Sequence, residues 1–295
     1  MQIKFLVIML MVTVHLFAVS QKSVEFYVKR HIEKKMHSKV DKIETLSSYQ
    51  IGGTNGWRVY FLVLDLKVKM GNVYRNRTLY QVVYNKGKKI AFSLKDKKGN
   101  DYSKVLKPHV PLSAYNDSHL LVGNKDARHK ILVVSDPFCP FCQKIVPKLI
   151  ESVERHPKTF ALYYYHLPLV RIHPASDVTT KAMHIFQKRG NLKALKECYH
   201  LLVSEREKNP QVILDAIKRK TGITLTQKEI NSKEIKETMA FDKAMKKRLM
   251  VTGTPTIFID GIWDPSRSAY KKLIPKHTEN SIESEEKGFF ASLFN

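Results

Sequence analysis

Asp136-Pro137-Phe138-Cys139-Pro140-Phe141-Cys142 follows directly on the apolar run Ile131-Leu132-Val133-Val134 and opens a segment that reads as a helix from about residue 140 to residue 155. The unbroken apolar run suits a central buried strand, so the two cysteines stand where a strand turns into a helix. Pro140 fits the first helical position, which leaves Cys139 at the helix N-terminus. There the unpaired backbone N–H groups and the positive end of the helix dipole favour an anion, and a cysteine thiolate is both a nucleophile and a good leaving group. Cys142, three residues on, lies one turn along the same face and can close a small redox disulfide. Tetrahedral zinc would need two further ligands, and the only other thiol, Cys198, has no adjacent partner, so no metal and no cofactor are expected.

Downstream, residues 160–166 read as a second buried strand, and residues 174–250 are helical in pattern, with breaks at Gly190-Asn191, Asn209-Pro210 and Thr221-Gly222. Gly253-Thr254-Pro255-Thr256-Ile257-Phe258-Ile259-Asp260-Gly261 is a strong strand opened by a proline and closed by a tight turn, and residues 268–274 form a short closing helix. Upstream, residues 120–123 and 130–135 read as a hairpin turned through Asn124-Lys125-Asp126. Cys198 shares an apolar pattern with Leu192, Leu195, Leu201 and Leu202 and is expected as a buried thiol, with an additional redox thiol and an intermolecular bridge as the alternatives. His166 and His173 read as surface or capping residues. Phe138 reads as either apolar rim or core. Asp136 has two readings, a proton-transfer group near Cys142 or an acid at a strand end that bonds nearby backbone.

The chain ahead of this segment has a different texture. Val24, Tyr27, Val28, Ile32 and Met36 recur at helical spacing over residues 23–38, with Ser23 as a cap. Strand-like runs follow at 43–51, 57–70, 78–84 and 89–94, separated by glycine and asparagine turns, which makes one helix on a four-stranded antiparallel meander. Residues 97–117 turn to Lys, Gly, Asp, Ser and Pro and read as a linker. At the start, Lys4 precedes the uncharged stretch 5–19, and Ala18-Val19-Ser20 puts small residues at a cleavage site, so residues 1–20 read as a signal peptide cut before Gln21. The division is therefore a signal peptide at 1–20, an α+β domain at 21–96, a linker at 97–117 and a second domain at 118–295 carrying a helical insert at about 174–250.

Composition narrows the function classes. An apolar share of 43% excludes a disordered chain, and 3 cysteines exclude a small disulfide-stapled scaffold. A net charge of +24 raises nucleic acid, anionic membrane and acidic ligands as partners. The basic residues are spread and broken by acids, as in Lys95-Asp96-Lys97-Lys98 and Glu205-Arg206-Glu207-Lys208, so a basic solvated surface is the reading, and export removes nucleic acid as a partner. An exported chain with one thiol pair points to disulfide exchange.

Taken together, the Cys-x-x-Cys helix and the Thr254-Pro255 strand resemble the thioredoxin fold, and more closely the periplasmic DsbC/DsbG group of disulfide isomerases. The stretch Asp136 to Cys142 looks like the active-site stretch of DsbG, and Thr254 is the residue type that group carries before its proline, where DsbA-type oxidases commonly carry Val. Sequence statistics alone make an X-Pro bond trans; the resemblance implies a cis Pro255 packed beside the redox pair. It further implies Cys139 and Cys142 as the catalytic pair, Thr254, Pro255 and Phe141 as substrate contacts, and Pro140 and Asp136 as modulators. The α+β domain would form a homodimer, the substrates would be unfolded or misoxidised secreted proteins, and a membrane thiol reductant of DsbD type would reset the pair. The long insert departs toward DsbA-like oxidases, which take a DsbB-type oxidant. A metallochaperone and a non-catalytic holdase chaperone are the readings from other classes.

Overall fold

The computed structural model describes residues 20–275. Of the expected signal peptide, residues 1–19 lie outside the described residues, as does the end of the chain from residue 276 on. The chain divides between Lys104 and Val105 into two compact units.

In the first unit, α1 (Gln21–Met36) starts one turn earlier than its pattern suggests because Ser20, whose hydroxyl accepts from Ser23 N–H, is the cap. Val24, Val28 and Ile32, four residues apart, bury one stripe of it in a core with Tyr60, Leu62, Leu64 and Val83. The sheet runs in chain order, β1 (Ser38–Gln50), β2 (Arg58–Met70), β3 (Val73–Lys86) and β4 (Lys89–Ala91), all antiparallel. The strands outrun their apolar patterns: residues 73–78 of β3 are exposed, so no alternation marks them, yet the register with β2 is unbroken from Arg58↔Asn85 to Met70↔Val73. Gly71, at a φ of 63°, makes the turn between them.

The second unit holds a five-stranded sheet built from β5 (Leu120–Gly123), β6 (His129–Ser135), β7 (Phe160–His166), β8 (Thr256–Ile259) and β9 (Ile262–Asp264), in the order β5-β7-β6-β8-β9. The expected hairpin of residues 120–123 with 130–135 does not form. Both edges of β6 are taken, by parallel β7 and antiparallel β8, and β5 pairs antiparallel with β7 instead. β9 had no signal in the sequence: it is three residues long and exists only as the return of the hairpin at Asp260 and Gly261, both at positive φ. α2 (Pro140–Arg155) follows β6, and α3 (Ser176–Lys188), α4 (Leu192–Glu197), α5 (Pro210–Thr221), α6 (Gln227–Ile230) and α7 (Lys233–Arg248) fill the segment between β7 and β8. Asn191, Asn209, Thr226 and Ser232 cap α4 to α7. The closing helix is a 3-10 turn, Ala269–Leu273.

One face of the sheet, with Ile131 and Val133, packs on Val146, Leu149, Ile150 and Val153 of α2 and on Met183 and Phe186 of α3. The other, with Leu132, Val134 and Phe258, packs on Met245 and Leu249. Each such side chain contributes about 1.5–3 kcal/mol of burial, which fixes the end of β6 and the start of α2. Part of the expected linker belongs to this second face: Val110 and Ala114 are buried there, Val110 N–H donates to Gly261 O, and Tyr165 OH donates to Ala114 O.

Candidate active site

Cys139 is the N-cap of α2, in extended conformation, with Pro140 at the first helical position. Its carbonyl accepts from Gln143 N–H and closes the first turn. Cys142 lies one turn on, with no exposed surface, whereas Cys139 keeps 7%. Both are thiols. Opposite them the chain enters β8 through a cis Thr254-Pro255 peptide bond, and Cys139 Sγ lies 3.4 Å from Thr254 O. The structure thus brings together four residues that the sequence singled out, Cys139, Cys142, Thr254 and Pro255, from segments more than a hundred positions apart.

The two sulfurs differ in environment. A hydrogen bond from the Cys142 thiol is the largest influence on Cys139; burial opposes it, and hydrogen bonds from Thr254 and from the N–H groups of Cys142 and Phe141 add to it, bringing the Cys139 thiol down to about 5. Burial, together with the proton it shares toward Cys139, pushes Cys142 far up. The first proton therefore leaves from Cys139. Thr254 Oγ1 is buried with no hydrogen-bond partner, and the contact of Thr254 with Cys139 Sγ runs through its backbone carbonyl.

Asp136 takes its backbone-bonding reading. Its Oδ1 accepts from Phe138 N–H (2.8 Å), Cys139 N–H (3.1 Å) and Ser176 Oγ (2.9 Å), with His173 Nδ1 at 3.3 Å, and its Oδ2 accepts from Leu169 N–H (2.7 Å). One fully buried carboxylate thus ties the end of β6, the cysteine turn, the segment after β7 and the start of α3. Five polar groups, three of them backbone N–H groups, converge on its two oxygens.

Phe138 is core, whereas Phe141, one residue before Cys142, is 62% exposed; Pro140 is exposed as well. Arg267 stands over the Phe141 ring at 5.7 Å. Sequence reasoning passed over Arg267, since its place depends on a turn held by Asp264, whose carboxylate accepts from Ser266 N–H and Ala269 N–H. His166 and His173 are buried, not surface residues: His166 N–H donates to Asp242 and His173 stands between Asp136 and Glu205. Asp242, His119 and His184 form a buried group the sequence gave no sign of, because its members lie up to 123 positions apart; His119 Nε2 is 2.7 Å from Asp242 Oδ1. Cys198 is buried in the apolar core, which pushes its thiol up.

A strand-to-helix dithiol with one acidic sulfur, facing a cis-proline loop, is the working end of a thiol:disulfide oxidoreductase. The chain belongs to the thioredoxin family, whose model matches residues 115–274. Among curated relatives, the probable disulfide bond formation protein D of Bacillus cereus is 26% identical over 208 residues, covering 63% of this chain and 88% of that protein. Among solved structures, a thioredoxin-like oxidoreductase from Silicibacter pomeroyi is 17% identical and covers 56% of this chain and 98% of its own, with a TM-score of 0.44. Oxidised BdbD from Bacillus subtilis is 15% identical and covers 62% and 98%, also at 0.44. Among the described residues no helix is long and apolar enough to cross a membrane.

Proposed function

We propose that the protein works in the periplasm on the disulfides of unfolded or misoxidised secreted proteins, as a dimeric isomerase or reductase of the DsbC/DsbG kind, with Cys139 attacking and Cys142 resolving. The observation that carries the chemistry is the asymmetry of the pair, an acidic sulfur at the mouth of α2 and a buried one behind it. The Cys139 thiolate attacks one sulfur of a substrate disulfide; a bond forms between them, the substrate's other sulfur leaves as thiolate and takes a proton from water. A substrate thiol then displaces Cys139, which completes isomerisation, or Cys142 does, which reduces the substrate and leaves the Cys139-Cys142 disulfide for a membrane thiol reductant of DsbD type. An extended substrate segment pairs with the backbone around Thr254 by strand addition, with Phe141 beside it.

A second reading, an oxidase recharged by a DsbB-type oxidant, is favoured by the name of the curated relatives and by the helical insert. A thiolate stabilised to about 5 favours the reduced pair and makes the disulfide oxidising, which serves both readings. Trapping the thiol state in whole cells with an alkylating mass tag separates them. A reduced pair, with recovery of scrambled ribonuclease by the purified protein, is the expected result; a fully oxidised pair that only converts reduced ribonuclease to mixed disulfides makes the protein an oxidase.

A further inference from the structure

Over the ring that separates the two cysteines in sequence stands a guanidinium with no acid to hold. Arg267 leaves the turn after β9, and the Asp264 carboxylate of that turn is spent on its own loop: Oδ1 accepts from Ser266 N–H (2.9 Å) and Ser266 Oγ (2.6 Å), and Oδ2 accepts from Ala269 N–H (2.9 Å). Arg267 itself makes two contacts, its backbone N–H on Asp264 O and its guanidinium on Phe141, 5.7 Å from the ring centre. Among the described residues no carboxylate or carbonyl meets its side chain, so its N–H donors stay open to a ligand.

The position is costly to keep. Arg267 has a φ of 58°, in the left-handed region that strains any residue with a Cβ and that glycine would occupy freely, yet a long cationic side chain stands there, half-buried. Its seat on Phe141 takes up part of that side chain's freedom in advance of any ligand. The surroundings have the same sign. Lys144 and Lys148, three and seven positions after Phe141, lie on its side of α2 and are exposed. Neither has an ion pair among the described residues, and the first turn of α2 carries no acid.

We propose that Arg267, seated on Phe141, binds a carboxylate of the substrate chain close in sequence to the cysteine under attack, so that the protein prefers disulfides flanked by Asp or Glu. The proposal rests on Cys139 and Cys142 being the redox pair, since Phe141 fixes the guanidinium beside that pair and nowhere else. A guanidinium fork already held in place is suited to paired N–H bonds with one carboxylate, and Lys144 and Lys148 add attraction without fixing a geometry. Arg267 takes no part in the bonds made and broken: the Cys139 sulfur attacks the substrate sulfur, that bond forms, and the electron pair of the old disulfide leaves with its other sulfur. The claim is one of position. A chain of net charge +24 attracts any acidic peptide, whereas a seated guanidinium distinguishes where along the peptide the acid lies.

Two isomeric peptides test this, each with one central cysteine carried as a mixed disulfide with thionitrobenzoate. The near isomer has glutamates beside the cysteine, and the far isomer has the same glutamates at its ends, so both carry one net charge and general attraction cancels. Stopped-flow release of thionitrobenzoate by the reduced full-length protein reports attack on the peptide sulfur; each rate is divided by that of the same peptide with mercaptoethanol, which removes the effect of the glutamates on the disulfide itself. The wild type should favour the near isomer about fivefold, as a charge-assisted bond at a partly exposed site allows. Arg267→Gln should bring the two isomers together, Arg267→Lys should restore part of the preference, and Phe141→Leu, which unseats the guanidinium, should lower it. A wild type that reacts alike with both isomers, or a preference undiminished in whichever of Arg267→Gln and Phe141→Leu folds, overturns the proposal. Absence of release by the wild type, or release undiminished in Cys139→Ala, shows instead that the redox-pair reading itself has failed.

Discussion

Cys139 draws its acidity from several donors at once, so its titration dissects the site. Ultraviolet thiolate absorbance of the reduced protein should show one sulfur ionising near 5. Cys142→Ala removes the largest of the donors and should shift that midpoint up, while Cys139→Ala should abolish it and leave Cys142 protonated through neutral pH. A midpoint near the free-thiol value of about 8.5 in the wild type would remove the helix-terminus argument. Stability follows with a definite sign. Because folding lowers this pKa, the contribution is complete above about 8.5, and it disappears as the pH falls through about 5. Urea midpoints of the reduced wild type should therefore climb between those limits by more than those of Cys139→Ala. Asp136 sets the frame for this chemistry: Asp136→Ala strands the N–H groups of Phe138 and Leu169, while Cys139 N–H keeps the Asp136 carbonyl, and should cost about 2 kcal/mol or more by chemical denaturation, since each stranded buried donor costs about 1–3 kcal/mol. Loss of less than about 1 kcal/mol would mean that water replaces the carboxylate.

Two elements are held by residues whose roles appear only in three dimensions. Gly123 ends β5 at a φ of 90°, and a Cβ there would lie 2.1 Å from the Phe160 carbonyl oxygen, which is backbone and cannot yield. Gly123→Ala should detach β5 from β7 and cost several kcal/mol, roughly 3 or more; hydrogen exchange of the β5 amides would show the local opening, and an unchanged exchange pattern would refute it. α7 is anchored through Asp242, which burial would make less acidic but which a hydrogen bond with His119 and the His184 ring 3.1 Å away hold at about 2. Its stabilising contribution is present above its unfolded value of about 3.9 and is lost as the pH falls toward 2. Asp242→Asn should be less stable at neutral pH and lose less on acidification between those limits, as read from urea midpoints. The extents of α2 and β7 were legible because periodicity, a leading proline and apolar runs are local signals. The partner of β5, the strand β9 and the burial of His166 and His173 were not legible, because each depends on which distant segment fills a neighbouring edge or face. Within the active site, Cys139, Cys142 and Thr254-Pro255 were readable from motif and resemblance; Arg267, set in place by a turn, was not.

At the scale of the molecule the first unit asks for a reason to exist, since every thiol belongs to the second. Its sheet has two unlike edges. β1 carries register shifts between Val40 and Lys42 and between Thr45 and Ser47, and such bulges spoil an edge for further pairing. β3 keeps an unbroken register with β2, and β4 covers only Tyr84 to Lys86 of its outer side. Among the described residues no strand pairs the rest of that side, from Val73 to Val83, and Val73, Tyr74 and Tyr80 are exposed along it. A long regular edge with aromatic side chains invites another strand, and an identical β3 from a second copy, running antiparallel about a twofold axis, satisfies it without changing the fold. The expected state is a homodimer joined through residues 21–96, with the second copy's β3 against this one. Light scattering should give twice the chain mass for the full-length protein and a single chain mass for a chain truncated to residues 105–275. Replacing Tyr80, which stands in the middle of this edge, with proline removes one edge N–H and should dissociate the dimer while leaving the Cys139 titration near 5. A full-length monomer refutes the assembly and, with it, the dimeric isomerase reading; a dimer that survives Tyr80→Pro moves the contact off β3 and leaves the remainder standing.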